Sequence, residues 1–112
     1  MKFLMLVCTD PTAAPEADAG PDIDTWFDDV TSRGVRKDGD RLRPAAESRV
    51  VRVRDGRTVV TEGPFAEVVE QVVGYDVLEC ADYDEAVDVA SRHPMAYGGL
   101  LELRPVWPMD EG

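Results

Sequence analysis

The sequence predicts an α+β fold: a ferredoxin-like sandwich with an inserted hairpin, whose bare sheet face pairs with a second copy. Three observations carry this. The periodic segments run strand, helix, hairpin, strand, helix, strand, an order that fits an antiparallel sheet with both helices packed on one face. The first strand, "KFLMLVC" (Lys2 to Cys8), is apolar at consecutive positions, so both of its sides need cover. Two helices can cover only one face, so the bare face calls for a second copy related by a two-fold axis.

Each element has its own local reason. "TDPTAAPEADAGP" is a Pro, Ala and Asp loop leading to a helix near Asp22 to Arg33. There Ile23, Trp26, Phe27 and Val30 share a face, Asp22 and Asp24 suit the positive N-terminus, and Gly34 suits the end. "KDGDRLRPAAE" reads as a loop. "SRVVRVRDGRTVVTEG" is two Val- and Thr-rich runs joined by Asp55-Gly56, whose permissive backbone favours a tight hairpin. Val51 and Val53 alternate with Arg52 and Arg54, which makes one hairpin face basic. "EQVVGYDVLECA" supplies a strand. "DYDEAVDVASRHP" is a helix, with Asp82 and Glu85 as a capping-box pair, an apolar face of Tyr83, Ala86, Val87 and Ala90, and Pro94 preventing extension. "YGGLLELRPVW" is the last strand, ended by Pro105 and Pro108.

At 112 residues the chain suits one domain spanning 1–112, with a composition of 44% hydrophobic and 31% charged residues that belongs with globular proteins. The net charge of -11 repels phosphate backbones and anionic membranes, so neither nucleic acid nor a membrane is an expected partner. Nine of the 12 basic residues fall between positions 33 and 57 against four acids, so that stretch carries +5 and the remainder -16. Such a division attracts a small anionic ligand, docks against the acidic half of another copy, or is simply a solvated face. Cys8 and Cys80 are too few and too far apart for a zinc site or disulfide framework, which leaves buried reduced thiols. The apolar opening is shorter than a signal sequence needs and Val7 is not the small residue expected before a cleavage site. With no apolar run of membrane-spanning length, a cytoplasmic location is expected.

Few residues carry chemistry. Glu62 ends a strand directly before Gly63-Pro64, with Phe65 as an anchor for the corner. A carboxylate held there serves as acid or base, or accepts hydrogen bonds from its own turn. Glu67 and Glu70 share a face only if "PFAEVVEQ" forms a helical turn. His93, the only histidine, lies at the end of the second helix, where the helix dipole favours a protonated imidazole; if "HPMAYGG" folds over the sheet it is also a catalytic candidate. Arg52 either clamps a carboxylate or keeps a strand edge from aggregating. No Gly-rich phosphate loop, nucleophile triad or metal-ligand spacing is present, and no cofactor or metal is implied.

"VRVRDGRTVVTEGPFAEVVEQVVGYDVLECADYDEAVDVASRHP" followed by "GGLLELRPV" resembles the DGPFAETKE family, a branch of the YCII-related proteins. "GDRLRP" is similar to its Gly-x-x-Leu-x-Pro segment and "MKFLMLV" to its first strand. The resemblance implies a dimeric α/β barrel in which the signature corner lines a pocket at the dimer, the family's Asp falling on Glu62 and Gly63, Pro64, Phe65, Ala66 and Glu67 matching. Val68 and Val69 stand in place of the family's Thr and Lys, and Val73 in place of a Gly. A His and Asp pair suggested as the site in YCII-like proteins has no counterpart, because the first helix here contains no His. The wider group includes muconolactone-processing enzymes, and DGPF proteins are associated with extracytoplasmic-function sigma factors. Two functions are therefore expected: a homodimer with a small-molecule pocket near the corner, using Glu62 and His93 for acid/base chemistry with Arg52, Phe65 and Glu67 holding a small anionic substrate, or a non-catalytic accessory protein that binds a sigma factor.

Overall fold

The first strand, β1 (Lys2–Thr9), is the spine of the molecule in the computed structural model, which describes residues 1–13, 20–63 and 71–111. Its alternation decides the layers: Phe3, Met5 and Val7 are buried, while Leu4 and Leu6 between them are only partly covered. α1 (Ile23–Ser32), β2 (Arg36–Arg41), the hairpin strands β3 (Arg49–Arg54) and β4 (Arg57–Glu62), β5 (Val72–Glu79), α2 (Tyr83–Ser91) and β6 (Gly99–Pro105) follow. The main sheet has the antiparallel order β2-β5-β1-β6, which is a ferredoxin-like arrangement. β3 and β4 form a separate two-stranded sheet inserted between β2 and β5.

β2 corrects the loop expected from Lys37 onward. "RKDGDR" has no apolar period to announce a strand, and its Asp-Gly resembles a turn; it becomes one by pairing along the edge of β5, from Arg36 opposite Leu78 to Arg41 opposite Gly74. Polar composition is what a sheet edge tolerates. A bulge between Arg36 and Asp38 breaks the regular alternation, so Arg36 and Gly39, three apart, both lie opposite buried residues of β5, Leu78 and Asp76.

The helices close the core over one face. α1 ends in a Schellman motif, with Val35 N–H donating to Val30 O (3.0 Å) and Gly34 N–H to Thr31 O (3.1 Å), while Gly34 takes φ 69°. Trp26 and Val30 are buried, and the Trp26 indole N–H donates to Val89 O of α2 at 2.9 Å, tying the helices together. At the start of α2, Asp82 Oδ1 accepts from Glu85 N–H (2.8 Å) and Glu85 Oε1 from Ala81 N–H (2.9 Å), a close variant of the capping box. The buried face of α2 is Ala86, Val89 and Ala90, rotated from the expected one: Val87 is exposed, and Tyr83 sits at the rim with its ring edge against Phe3 and its hydroxyl donating to Leu103 O (3.2 Å). Both cysteines are buried and neither is in a disulfide.

The hairpin turns at Asp55 (φ 52°) and Gly56 (φ 74°), both left-handed as a tight primed turn requires. Val51 lies opposite Val60 and Val53 opposite Thr58, and Val51, Val53 and Val60 are all more than half exposed. The base of the hairpin is closed by Gly63 N–H donating to Ser48 O at 2.8 Å. With this arm the radius of gyration is 16.4 Å, against about 13 Å for a compact domain of this length.

Candidate functional site

A cavity of about 550 Å³ opens between α1, the β2–β5 edge of the sheet and the turn after α2. Ile23 and Phe27, on the same face of α1 as Trp26 and Val30 but one turn from the core, are partly exposed because they form its wall. Leu42, Val73 and Met95 add apolar surface. Val73 is the extra residue of a second bulge, where Val7 pairs with Gly74 and Cys8 with Val72.

Two polar groups are set into this apolar wall. Arg36 Nε donates to Asp76 Oδ1 at 2.6 Å, its Nη2 donates to Gly39 O at 2.7 Å, and its guanidinium lies over the Phe27 ring, 4.7 Å from the centroid. A side chain at Gly39 would leave no room for this: a Cβ there would come within 2.5 Å of Asp76 Oδ1 and Tyr75 O and 2.8 Å of Arg36 Nη2. Burial pushes the Asp76 carboxyl above its ordinary range, and the Arg36 hydrogen bond and charge offset this only in part. Oδ2 has no hydrogen-bond partner among the described residues, and no fully buried side-chain N or O there lacks one. Oδ2 is therefore not sealed from solvent, and Asp76 is one of the residues lining the cavity.

His93 is the second group, and its state corrects the expectation of a protonated imidazole favoured by the helix dipole. The helix stops at Ser91, and His93 instead caps the short 3₁₀ turn Pro94–Tyr97, its Nδ1 accepting from Met95 N–H at 3.0 Å. That bond requires a bare Nδ1. The ring is only 5% exposed and lies 4.6 Å from the Trp26 ring, centroid to centroid, at 66°. Burial alone lowers its pKa from 6.5 to about 4, so the imidazole is neutral near pH 7 with its proton on Nε2. Nε2 makes no hydrogen bond among the described residues and is not a fully buried orphan, and His93 is one of the residues that line the cavity.

The residues expected from the sequence divide. His93 lines the cavity; Glu62 and Arg52 do not. Glu62 is exposed at the end of β4, opposite Arg49, where it borders a shallow depression with Ala46 to Ser48. Arg52 lies in β3, opposite Val59. Phe65 and Glu67 lie outside the described residues. Sequence reasoning missed Arg36 and Asp76. A signal for Asp76 was available: in "GYDVLE" it occupies the same face as Gly74 and Leu78, where an inward carboxylate demands a partner. Among the described residues no group of three or more His, Cys, Asp or Glu is placed to hold a metal ion, and no helix is long and apolar enough to cross a membrane.

An α+β domain with an apolar cavity holding a buried ion pair and a neutral histidine is thus the class that fold and site define. The family model of the YCII-related domain matches residues 1–110, and the chain belongs to that family. It is also similar to an uncharacterised protein of Rhizobium meliloti (strain 1021), 39% identical over 70 residues, a stretch covering 59% of this chain and 55% of that protein.

Proposed function

We propose that this protein binds a small molecule in the cavity beside α1, and that Asp76 and His93 supply acid/base chemistry there. The observation that carries the reading is the state of His93: a residue more than nine-tenths buried, locked by Met95 into one tautomer, that lines the cavity while its Nε2–H makes no hydrogen bond among the described residues. A neutral imidazole whose pKa is near 4 is a poor base at pH 7 but a good hydrogen-bond donor to a carbonyl oxygen on which charge develops. The complementary role falls to Asp76, whose Oδ2 is unengaged and whose basicity burial has raised. Proton abstraction next to a carbonyl is the reaction class these two groups suit. Glu62, exposed at the base of the hairpin, stands outside this assignment.

The protein acts as a homodimer in this reading. Since Phe3, Met5 and Val7 face the helices, Leu4 and Leu6, with Val77 paired opposite Leu4, form an apolar face that no helix covers. Two copies packed face to face would bury it. Sedimentation at micromolar concentration is expected to give about twice the 12.3 kDa of the chain, and Leu6→Glu to return the single-chain mass; a wild-type monomer would refute the pairing.

A thermal-shift panel of small ring compounds and short-chain acids tests the cavity. A ligand at 100 times its Kd stabilises by about 2.7 kcal/mol, which for a chain of this size raises Tm by about 10 °C. The shift is expected in wild type and not in Leu42→Trp, whose indole would fill the mouth lined by Leu42. Equal shifts in both proteins, or none in either, would refute the assignment.

A further inference from the structure

Among the described residues, the charges around the cavity cancel. Arg36 is spent on Asp76 at 2.6 Å, and the other ionised residues lining it, Asp40 and Arg41, are adjacent and opposite in sign. His93 adds a donor without adding charge. Arg43, Arg49, Arg52, Arg54 and Arg57, which give residues 33–57 their positive balance, do not line the cavity. An anion entering there meets no uncommitted buried cation, and it must approach a molecule of net charge -11. A cation meets, within the apolar wall, only the Asp76 carboxylate, already paired. Asp40 and Arg41 are exposed to water, so either ion entering among Trp26, Phe27, Leu42 and Met95 would leave its hydration without a buried uncommitted partner among the described residues.

Resting on the cavity assignment above, we infer that the ligand class is an uncharged ring compound carrying a hydrogen-bond acceptor, a carbonyl or hydroxyl, which takes the Nε2–H of His93 while its ring lies among Trp26, Phe27 and Met95. The volume of about 550 Å³ accommodates one or two rings. The unpaired donor sets the specificity: a ring without an acceptor leaves Nε2–H unsatisfied when water is displaced. Of the positive stretch, which pointed to an anionic ligand from the sequence, only Arg36 and Arg41 line this wall, Arg36 paired with Asp76 and Arg41 next to Asp40.

Three near-isosteric probes separate charge from shape: benzamide, benzoate and benzamidinium. Trp107→Phe removes the indole that is 77% exposed and leaves Trp26 as the sole tryptophan, and His93 is the only histidine, so each cavity side has one unambiguous reporter. Titrations at pH 7 and low ionic strength follow the Trp26 indole and His93 imidazole NMR signals. Benzamide is expected to shift both and to bind at least about tenfold more tightly than either ion. His93→Asn, which keeps an acceptor for the Met95 N–H but loses Nε2, is expected to weaken benzamide about fivefold. Tighter or equal binding of benzoate or benzamidinium, still shifting His93 and Trp26, overturns the uncharged class while leaving the cavity as the site. If none of the three probes moves either signal, the site assignment falls with it.

Discussion

Lowering the pH from 7 to 4.5 is expected to remove stability through His93. The pKa falls from 6.5 in the unfolded chain to about 4 in the folded one, because the ring is buried and no nearby charge offsets the loss of hydration. The folded value is the lower one, so the unfolded state takes up its proton first as pH drops. The stability tied to neutral His93 is therefore complete above pH 6.5 and is lost progressively down to about pH 4. At about 1.36 kcal/mol per pH unit, the loss by pH 4.5 is about 2.5 kcal/mol, and water in the cavity trims it to about 2 kcal/mol. Protonation also forces Nδ1 to give up the Met95 N–H it accepts at 3.0 Å. The assay is urea unfolding at pH 7.0, 5.5 and 4.5 for wild type and His93→Asn. Subtracting the variant removes the carboxylates, which titrate in both proteins. A difference curve that falls by about 2 kcal/mol between pH 6.5 and 4.5 is expected; a flat one, or an imidazole that titrates near 6.5 in the folded protein, would refute the reasoning.

Two substitutions probe the wall opposite His93. Gly39→Ala places a methyl against Tyr75 O, a backbone atom that cannot swing away, and is expected to cost about 1–3 kcal/mol in chemical unfolding; a neutral effect would mean that β2 does not approach β5 so closely. Arg36→Met strands the Asp76 carboxylate in a site where its side chain is 10% exposed, and is expected to cost about 3–5 kcal/mol at pH 7. The folded pKa of Asp76 is already raised and would rise further, so folding favours its protonated form and the cost should shrink as pH falls through that value. A pH-independent cost would show that lost packing, not an unpaired charge, dominates.

Much of the fold was legible because its signals are local. The unbroken apolar run of β1, the Asp55-Gly56 turn, the Asp82 and Glu85 cap and Gly34 at the helix end each state their conformation within a few residues. β2 was not legible, since "RKDGDR" is a strand only by virtue of β5 beside it. The site was harder for the same reason. Arg36 and Asp76 are 40 residues apart and meet only because β2 and β5 pair. His93 stood out as the lone histidine, yet its charge state depends on burial beneath Trp26, from a helix more than 60 residues earlier, which no window around "SRHPM" contains. Val87 and Val89 fit a helical stripe about equally well, and the sheet selected Val89.

A crystal of the protein soaked with benzamide tests the central claim most directly. The account predicts the ring against Trp26 and Phe27, with the amide oxygen within hydrogen-bond distance of His93 Nε2. Density only at the Glu62 end of the hairpin, or a cavity filled by the protein's own side chains, would contradict it.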